Sequence, residues 1–256
     1  MLGAIVGDIV GSVYEFDNYK AKDFQPFFHS RAFITDDTVC TIAVADILLN
    51  NRDPAASLKD WCRRFWHIGG WGARFGRWVE EESLAPSNSF GNGAAMRVSP
   101  AGFLAKSVDE AIELSNRVTE ITHNHPEGMK GAAATAVAIH LARSGKAATE
   151  IRAEIARRFG YDLSMSVDEI RPVYRYNETC QDTVPQALVC ALEAQDFEDA
   201  IRNAISIGGD SDTLAAIAGG VAEACFGVPS AIAGGARTFL PEEMQGVLDK
   251  LYARDR

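Results

Sequence analysis

Thr35-Asp36-Asp37-Thr38-Val39-Cys40-Thr41-Ile42-Ala43-Val44-Ala45-Asp46-Ile47-Leu48-Leu49 is the stretch on which the fold turns. Hydroxyls and carboxylates, the groups preferred at helix N-termini, stand directly before apolar side chains at Val39, Ile42, Ala45 and Leu49, spaced by three or four residues. Asn50-Asn51-Arg52-Asp53-Pro54 then breaks the pattern, so the spacing predicts an amphipathic helix. The same period recurs in Ala132 to Arg143, in Phe197 to Ile207, and in Leu214, Ile217, Val221 and Cys225. The last run is crowded with Ala and Gly, as close helix–helix approach requires. No segment shows convincing strand alternation, so the expected fold class is all-α.

The chain has 256 residues and 47% hydrophobic content, which suits one core, and neither a low-complexity run nor an internal repeat divides it. Its 35 acids against 25 bases leave a net charge of −10, and Lys and Arg are not clustered. A duplex nucleic-acid footprint is therefore disfavoured, and a polyanionic ligand would need local backbone amides, helix N-termini or bound cations. The five cysteines, Cys40, Cys62, Cys180, Cys190 and Cys225, lack the paired spacing of zinc or redox sites and read as reduced core thiols. The opening run Met1 to Gly11 has no basic start and is interrupted by Asp8, so neither a signal peptide nor a membrane span is expected. The expectation is a cytoplasmic, monomeric protein.

A second acidic signature, Gly208-Gly209-Asp210-Ser211-Asp212-Thr213, also stands where a loop enters a helix. Capping alone accounts for one Asp or Thr at each start. It does not require adjacent Asp36 and Asp37 between threonines, or Asp210 and Asp212 behind two glycines. If the two starts converge, Thr35, Asp36, Asp37, Asp210, Asp212 and Thr213 form an oxygen-only ligand set suited to two Mg²⁺ or Mn²⁺ ions.

Three further groups surround this pair. In the opening helix Asp8, Ser12 and Glu15 fall at i, i+4 and i+7 as a polar stripe, while Gly3, Gly7 and Gly11 form another face. Asp8 reads equally as a buried acid held by backbone amides, whereas Glu15, at the helix exit, is placed to act as acid, base or gate. Ser89-Phe90-Gly91-Asn92-Gly93-Ala94-Ala95-Met96-Arg97 has a Gly-Asn-Gly core that would present backbone amides to a phosphate or ribose, or else is a turn into a helix. Thr122-His123-Asn124-His125-Pro126 offers His123 as a ligand-contacting donor.

With these motifs in this order, the chain resembles the ADP-ribosylglycohydrolase family. Gly7 to Glu15 is similar to that family's opening helix, Thr35-Asp36-Asp37-Thr38 to its first metal motif, and Gly91 to Arg97 to its phosphate-and-ribose loop. Thr122-His123 and Gly209-Asp210-Ser211-Asp212-Thr213 complete the pattern. The resemblance implies one compact orthogonal helix bundle over residues 1–256, with a dinuclear Mg²⁺ or Mn²⁺ centre at the mouth of a cleft that takes ADP-ribose. It implies Thr35, Asp36, Asp37, Asp210, Asp212 and Thr213 as metal ligands, Gly91, Asn92, Gly93, Met96 and His123 as ADP-ribose contacts, and Glu15 beside the scissile linkage. Asp36 is the expected partner of Glu15 in the chemistry.

The implied reaction is hydrolysis of the C1″ bond between ADP-ribose and a modified side chain, with a protein as the expected partner. A small ADP-ribosylated molecule or an ADP-ribosylated nucleic acid as substrate, a non-hydrolytic ADP-ribose-binding regulator, and a structural helical scaffold with acidic caps are the alternatives. Trp61 to Asn88 and Tyr161 to Asp182 match nothing in the family residue by residue, and these segments are expected to meet the modified partner.

Overall fold

The structure is a computed structural model, and it describes residues 1–254. In chain order the helices are α1 (Leu2–Gly11), α2 (Asp36–Asn50), α3 (Pro54–Arg64), α4 (Ala73–Glu80), α5 (Gly93–Met96), α6 (Ser99–Leu104), α7 (Val108–Thr119) and α8 (Pro126–Arg143). They continue as α9 (Ala148–Phe159), α10 (Val167–Val173), α11 (Cys180–Leu192), α12 (Phe197–Ser206), α13 (Ser211–Phe226), α14 (Ser230–Arg237) and α15 (Glu242–Ala253). Among the described residues the β pairing is a single bridge between Gly91 and Thr179, so the chain is all-α as its periodicity predicts.

Helix α13 is the axis of the bundle. Every residue from Ser211 to Ala222 is buried, as expected for a helix apolar on all sides, and α1, α8, α11 and α12 pack around it. Helix α1 is buried along its whole length and lies against α13 backbone to backbone. A Cβ added to Gly7 would sit 1.9 Å from the Ala215 carbonyl oxygen, and one on Gly3 would sit 2.2 Å from that of Gly219. The Gly3, Gly7, Gly11 face is therefore the contact that sets the distance between these helices. Ile5, Val6, Ile9 and Val10 fill the space around it at roughly 1.5–3 kcal/mol per buried side chain.

Two elements differ from their sequence reading. Helix α2 is buried on nearly all sides rather than amphipathic, and its one interior acid, Asp46, is satisfied by the Trp61 indole N–H at 3.0 Å and the Asn50 amide at 2.6 Å. Helix α8 begins at Pro126, well before the apolar period that starts at Ala132. His125 caps it, accepting from the Glu127 N–H at 3.1 Å, and Pro126 occupies the first turn, where a missing N–H costs nothing. Four of the five cysteines are buried free thiols as expected, whereas Cys225, near the end of α13, is exposed.

Candidate active site

Helix α1 positions both acidic helix starts. The Asp8 carboxylate accepts from the Thr35 N–H at 3.0 Å, the Thr35 hydroxyl at 2.8 Å and the Thr38 N–H at 3.1 Å, with a further bond from the Thr38 hydroxyl. Asp8 is thus the buried acid held by amides, and it clamps the first turn of α2. Burial still pushes its carboxyl up to about 6, against the pull of these bonds. The Thr35 hydroxyl also accepts from the Asp37 N–H at 3.1 Å, so it caps α2 in the usual way. With one proton donated and one bond accepted, a lone pair remains for a ligand.

The start of α13 is built differently. Gly208 and Gly209 have φ of 72° and 82°, the left-handed region that glycine adopts without strain. Asn18 staples this turn to the loop after α1. Its side-chain amide donates to the carbonyls of Tyr14 (2.7 Å), Glu15 (2.9 Å) and Gly209 (3.0 Å), and its oxygen accepts from the Gly209 N–H at 2.7 Å. Glu15 therefore lies beyond the end of α1, in a turn, rather than on the helix as the i, i+7 spacing suggests. Asp210 occupies the N-cap position of α13, yet its side chain makes no capping bond. It accepts instead from the Asn92 side-chain amide at 2.6 Å.

The two starts meet. The Thr213 hydroxyl donates to Asp37 Oδ2 at 3.1 Å, joining α13 to α2. Carboxylate oxygens of Glu15, Asp210 and Asp212 lie within 4.8 Å of one another, close enough to share a cation. Asp36 and Asp37 complete the acidic floor. Burial, then repulsion from neighbouring acids, drives Asp37 and Asp212 well above the ordinary carboxylate range, and burial does the same for Asp36. Burial and Asp210 push Glu15 up to about 7. Among the described residues, no Lys, Arg or His forms an ion pair with any of these five carboxylates. Uncompensated buried carboxylates in hydroxyl-rich surroundings fit a hard divalent cation.

This floor opens into a cleft of about 210 Å³ that is continuous with solvent. Gly91, Asn92, Gly93, Met96 and His123 all line it, together with Asp36, Asp37, Asp210, Asp212 and Thr213. The glycine loop, however, does not hold out all its amides. Gly91 N–H donates to the Ser89 hydroxyl at 3.1 Å and Asn92 N–H to the Glu178 carbonyl at 2.7 Å. Within the protein the loop supports Asp210 through Asn92. His123 and His125 part company: His123 is buried behind Gly91 and Gly93, while His125 caps α8 and packs on Phe90.

Several lining residues were not legible as site residues. Gly70, Gly72, Ala73, Arg74 and Phe75 form one wall, and Tyr176 and Glu178 form another. The Tyr176 hydroxyl stands 2.9 Å from Glu178 Oε1 and 3.3 Å from Glu15 Oε1, linking that wall to the floor. Both walls come from the two segments that match no motif. In sequence the two walls carry the glycine pair Gly69-Gly70 and the Tyr174-Arg175-Tyr176 cluster.

An all-α bundle with a buried carboxylate cluster beneath an open cleft defines the class. The chain belongs to the ADP-ribosylglycohydrolase family, whose sequence model matches residues 1–255. It is 28% identical to "ADP-ribosylarginine hydrolase Tri1" of Pseudomonas putida (strain GB-1), over 89% of this chain and 70% of that one. It is 24% identical to "ADP-ribosylhydrolase ARH3" of Danio rerio, over 90% and 82% respectively. A solved structure described as "ADP-ribosylglycohydrolase-related protein complex" superposes with a TM-score of 0.73 at 24% identity, over 98% of this chain and 96% of that one, which establishes the fold. Among the described residues no helix is long and apolar enough to cross a membrane.

Proposed function

We propose that the protein is a divalent-metal-dependent ADP-ribosylhydrolase that cleaves the C1″ bond between ADP-ribose and a protein side chain. The observation that carries this reading is the meeting of Glu15, Asp210 and Asp212 within 4.8 Å beside Asp37, on the floor of a cleft lined by the glycine loop. Thr35, Asp36, Asp37, Asp210, Asp212 and Thr213 would hold two Mg²⁺ or Mn²⁺ ions. Such ions, when bound, supply positive charge that fixes ribose hydroxyls and acidifies water. Gly91, Asn92, Gly93, Met96 and His123 contact ADP-ribose.

The chain's own groups divide the proton work. Water attacks C1″, its proton passes to Asp36 at the floor, and the bond from C1″ to the side-chain nitrogen or oxygen breaks. Glu15, at the edge of the floor and linked to the outer wall through Tyr176, gives its proton to the departing atom. The walls around Arg74, Phe75, Tyr176 and Glu178 face the modified protein. Five free thiols suit a reducing compartment, the cytoplasm.

The test is release of ADP-ribose from arginine-linked, serine-linked and O-acetyl-linked substrates, each with and without EDTA. Release from a protein linkage that stops with EDTA is the expected result. Release only from the O-acetyl-linked small molecule would replace the protein partner, and binding without release would make the chain a regulator.

A further inference from the structure

Arg97 ends the Gly-Asn-Gly motif and borders the cleft, without an ion pair to any carboxylate of its floor. It is fully buried, has no ion-pair partner among the described residues, and its Nε makes no hydrogen bond. A charge held this way is costly unless its placement serves something. Its Nη2 donates to the Thr122 hydroxyl oxygen at 2.6 Å and, weakly, to the Val118 carbonyl at 3.4 Å, and it lies 3.5 Å from His123 Nδ1. The Thr122 hydroxyl in turn lies 2.7 Å from that same His123 nitrogen.

The direction of this chain follows from the groups themselves. A guanidinium only donates, so Thr122 accepts from Arg97, and its single proton is free to go to His123 Nδ1. The cation beside Nδ1 also disfavours a proton there. The ring proton is left on Nε2, the atom that faces the glycine loop: a Cβ added to Gly93 would lie 3.4 Å from it, and one on Gly91 3.7 Å. We infer that Arg97 is a positioning residue which, through Thr122, locks His123 as its Nε2–H tautomer and so presents a hydrogen-bond donor to an acceptor oxygen of the ligand. Burial, then the charges of Arg97 and Arg74, hold the imidazole well below its ordinary pKa, which keeps the donor uncharged. The ligand atom opposite is a ribose or phosphate oxygen, an assignment that rests on the ADP-ribose reading above.

Side-chain ¹⁵N NMR of the full chain reads the tautomer directly, with the His123 signals identified by their loss in His123→Gln. The wild-type ring shows the Nε2–H pattern. Thr122→Val, which removes the relay hydroxyl at nearly constant volume, shifts population to Nδ1–H, and Thr122→Ser restores the wild-type pattern. Arg97→Met does the same as Thr122→Val if it folds, and the threonine pair decides the matter if it does not. In parallel, calorimetry with ADP-ribose shows about a tenfold rise in Kd for Thr122→Val and for His123→Gln, with no further rise in the double variant. An Nδ1–H ring in the wild type, or a tautomer unchanged by Thr122→Val, overturns the inference. A wild type with the Nε2–H pattern but no heat with ADP-ribose contradicts the functional reading instead.

Discussion

The first turns of α2 and α13 carry nearly the same residues and spend them in opposite ways. At α2, Thr35 caps its own helix and Asp8 takes two backbone N–H groups from Thr35 and Thr38, so the turn is held by bonds internal to the protein. At α13, the N-cap side chain of Asp210 caps nothing and faces Asn92, Glu15 and Asp212. One start is a finished structural joint. The other is a set of crowded carboxylates that, among the described residues, pair with no cationic side chain. A helix-cap composition is therefore compatible with both roles, and only the hydrogen-bond accounting separates them.

Breaking either half should silence the site. Asp36→Asn and Asp212→Asn are each expected to lose on the order of 10³ in turnover while the far-UV circular dichroism of the helices is kept. Gly7→Ala attacks the joint rather than the ligands, because its new Cβ would enter the Ala215 carbonyl at 1.9 Å. It should cost about 3 kcal/mol in urea unfolding, with activity falling as α1 shifts.

Cation binding gives the next largest effect. At Mn²⁺ a hundredfold above its Kd, unfolding should become harder by about 2.7 kcal/mol. In the metal-free protein the sign of the pH dependence is set by the raised carboxylates. Glu15, lifted from 4.5 to about 7, contributes stability that is full below pH 4.5 and lost as pH rises through about 7. Melting curves should show that decline without metal and a flatter profile with it.

The smallest effect sharpens the contrast between the two starts. Thr35→Ala should destabilise the metal-free protein by about 1–2 kcal/mol, whereas Asp210→Asn should leave it unchanged or more stable, since no cap is lost and a repelling charge is removed. Equal destabilisation by both substitutions would erase the distinction.

Much of this was legible in the sequence, for identifiable reasons. The period of α2, α12 and α13 and the fourfold spacing of Gly3, Gly7 and Gly11 are local signals with a direct packing meaning. The start of α8 was obscured because Gly128, Lys130 and Gly131 interrupt the apolar period that His125 and Pro126 had already opened. Glu15 kept the helical spacing but not the helix, because Asn18 pulls the following turn onto Gly209. Tyr176, Glu178 and Gly70 enter through loops with no period, brought in by long-range packing alone. Arg97 was visible as a letter in a motif, but its role depends on Thr122 and His123, which only the fold brings beside it.

The central claim is that two helix starts far apart in sequence make one metal centre. Calorimetric titration of Mn²⁺ into the wild type, Asp37→Asn and Asp212→Asn tests it most directly. The account predicts two ions bound by the wild type and weakened binding in both variants, although one substitution lies on α2 and the other on α13. Wild-type Mn²⁺ binding in either variant would contradict it.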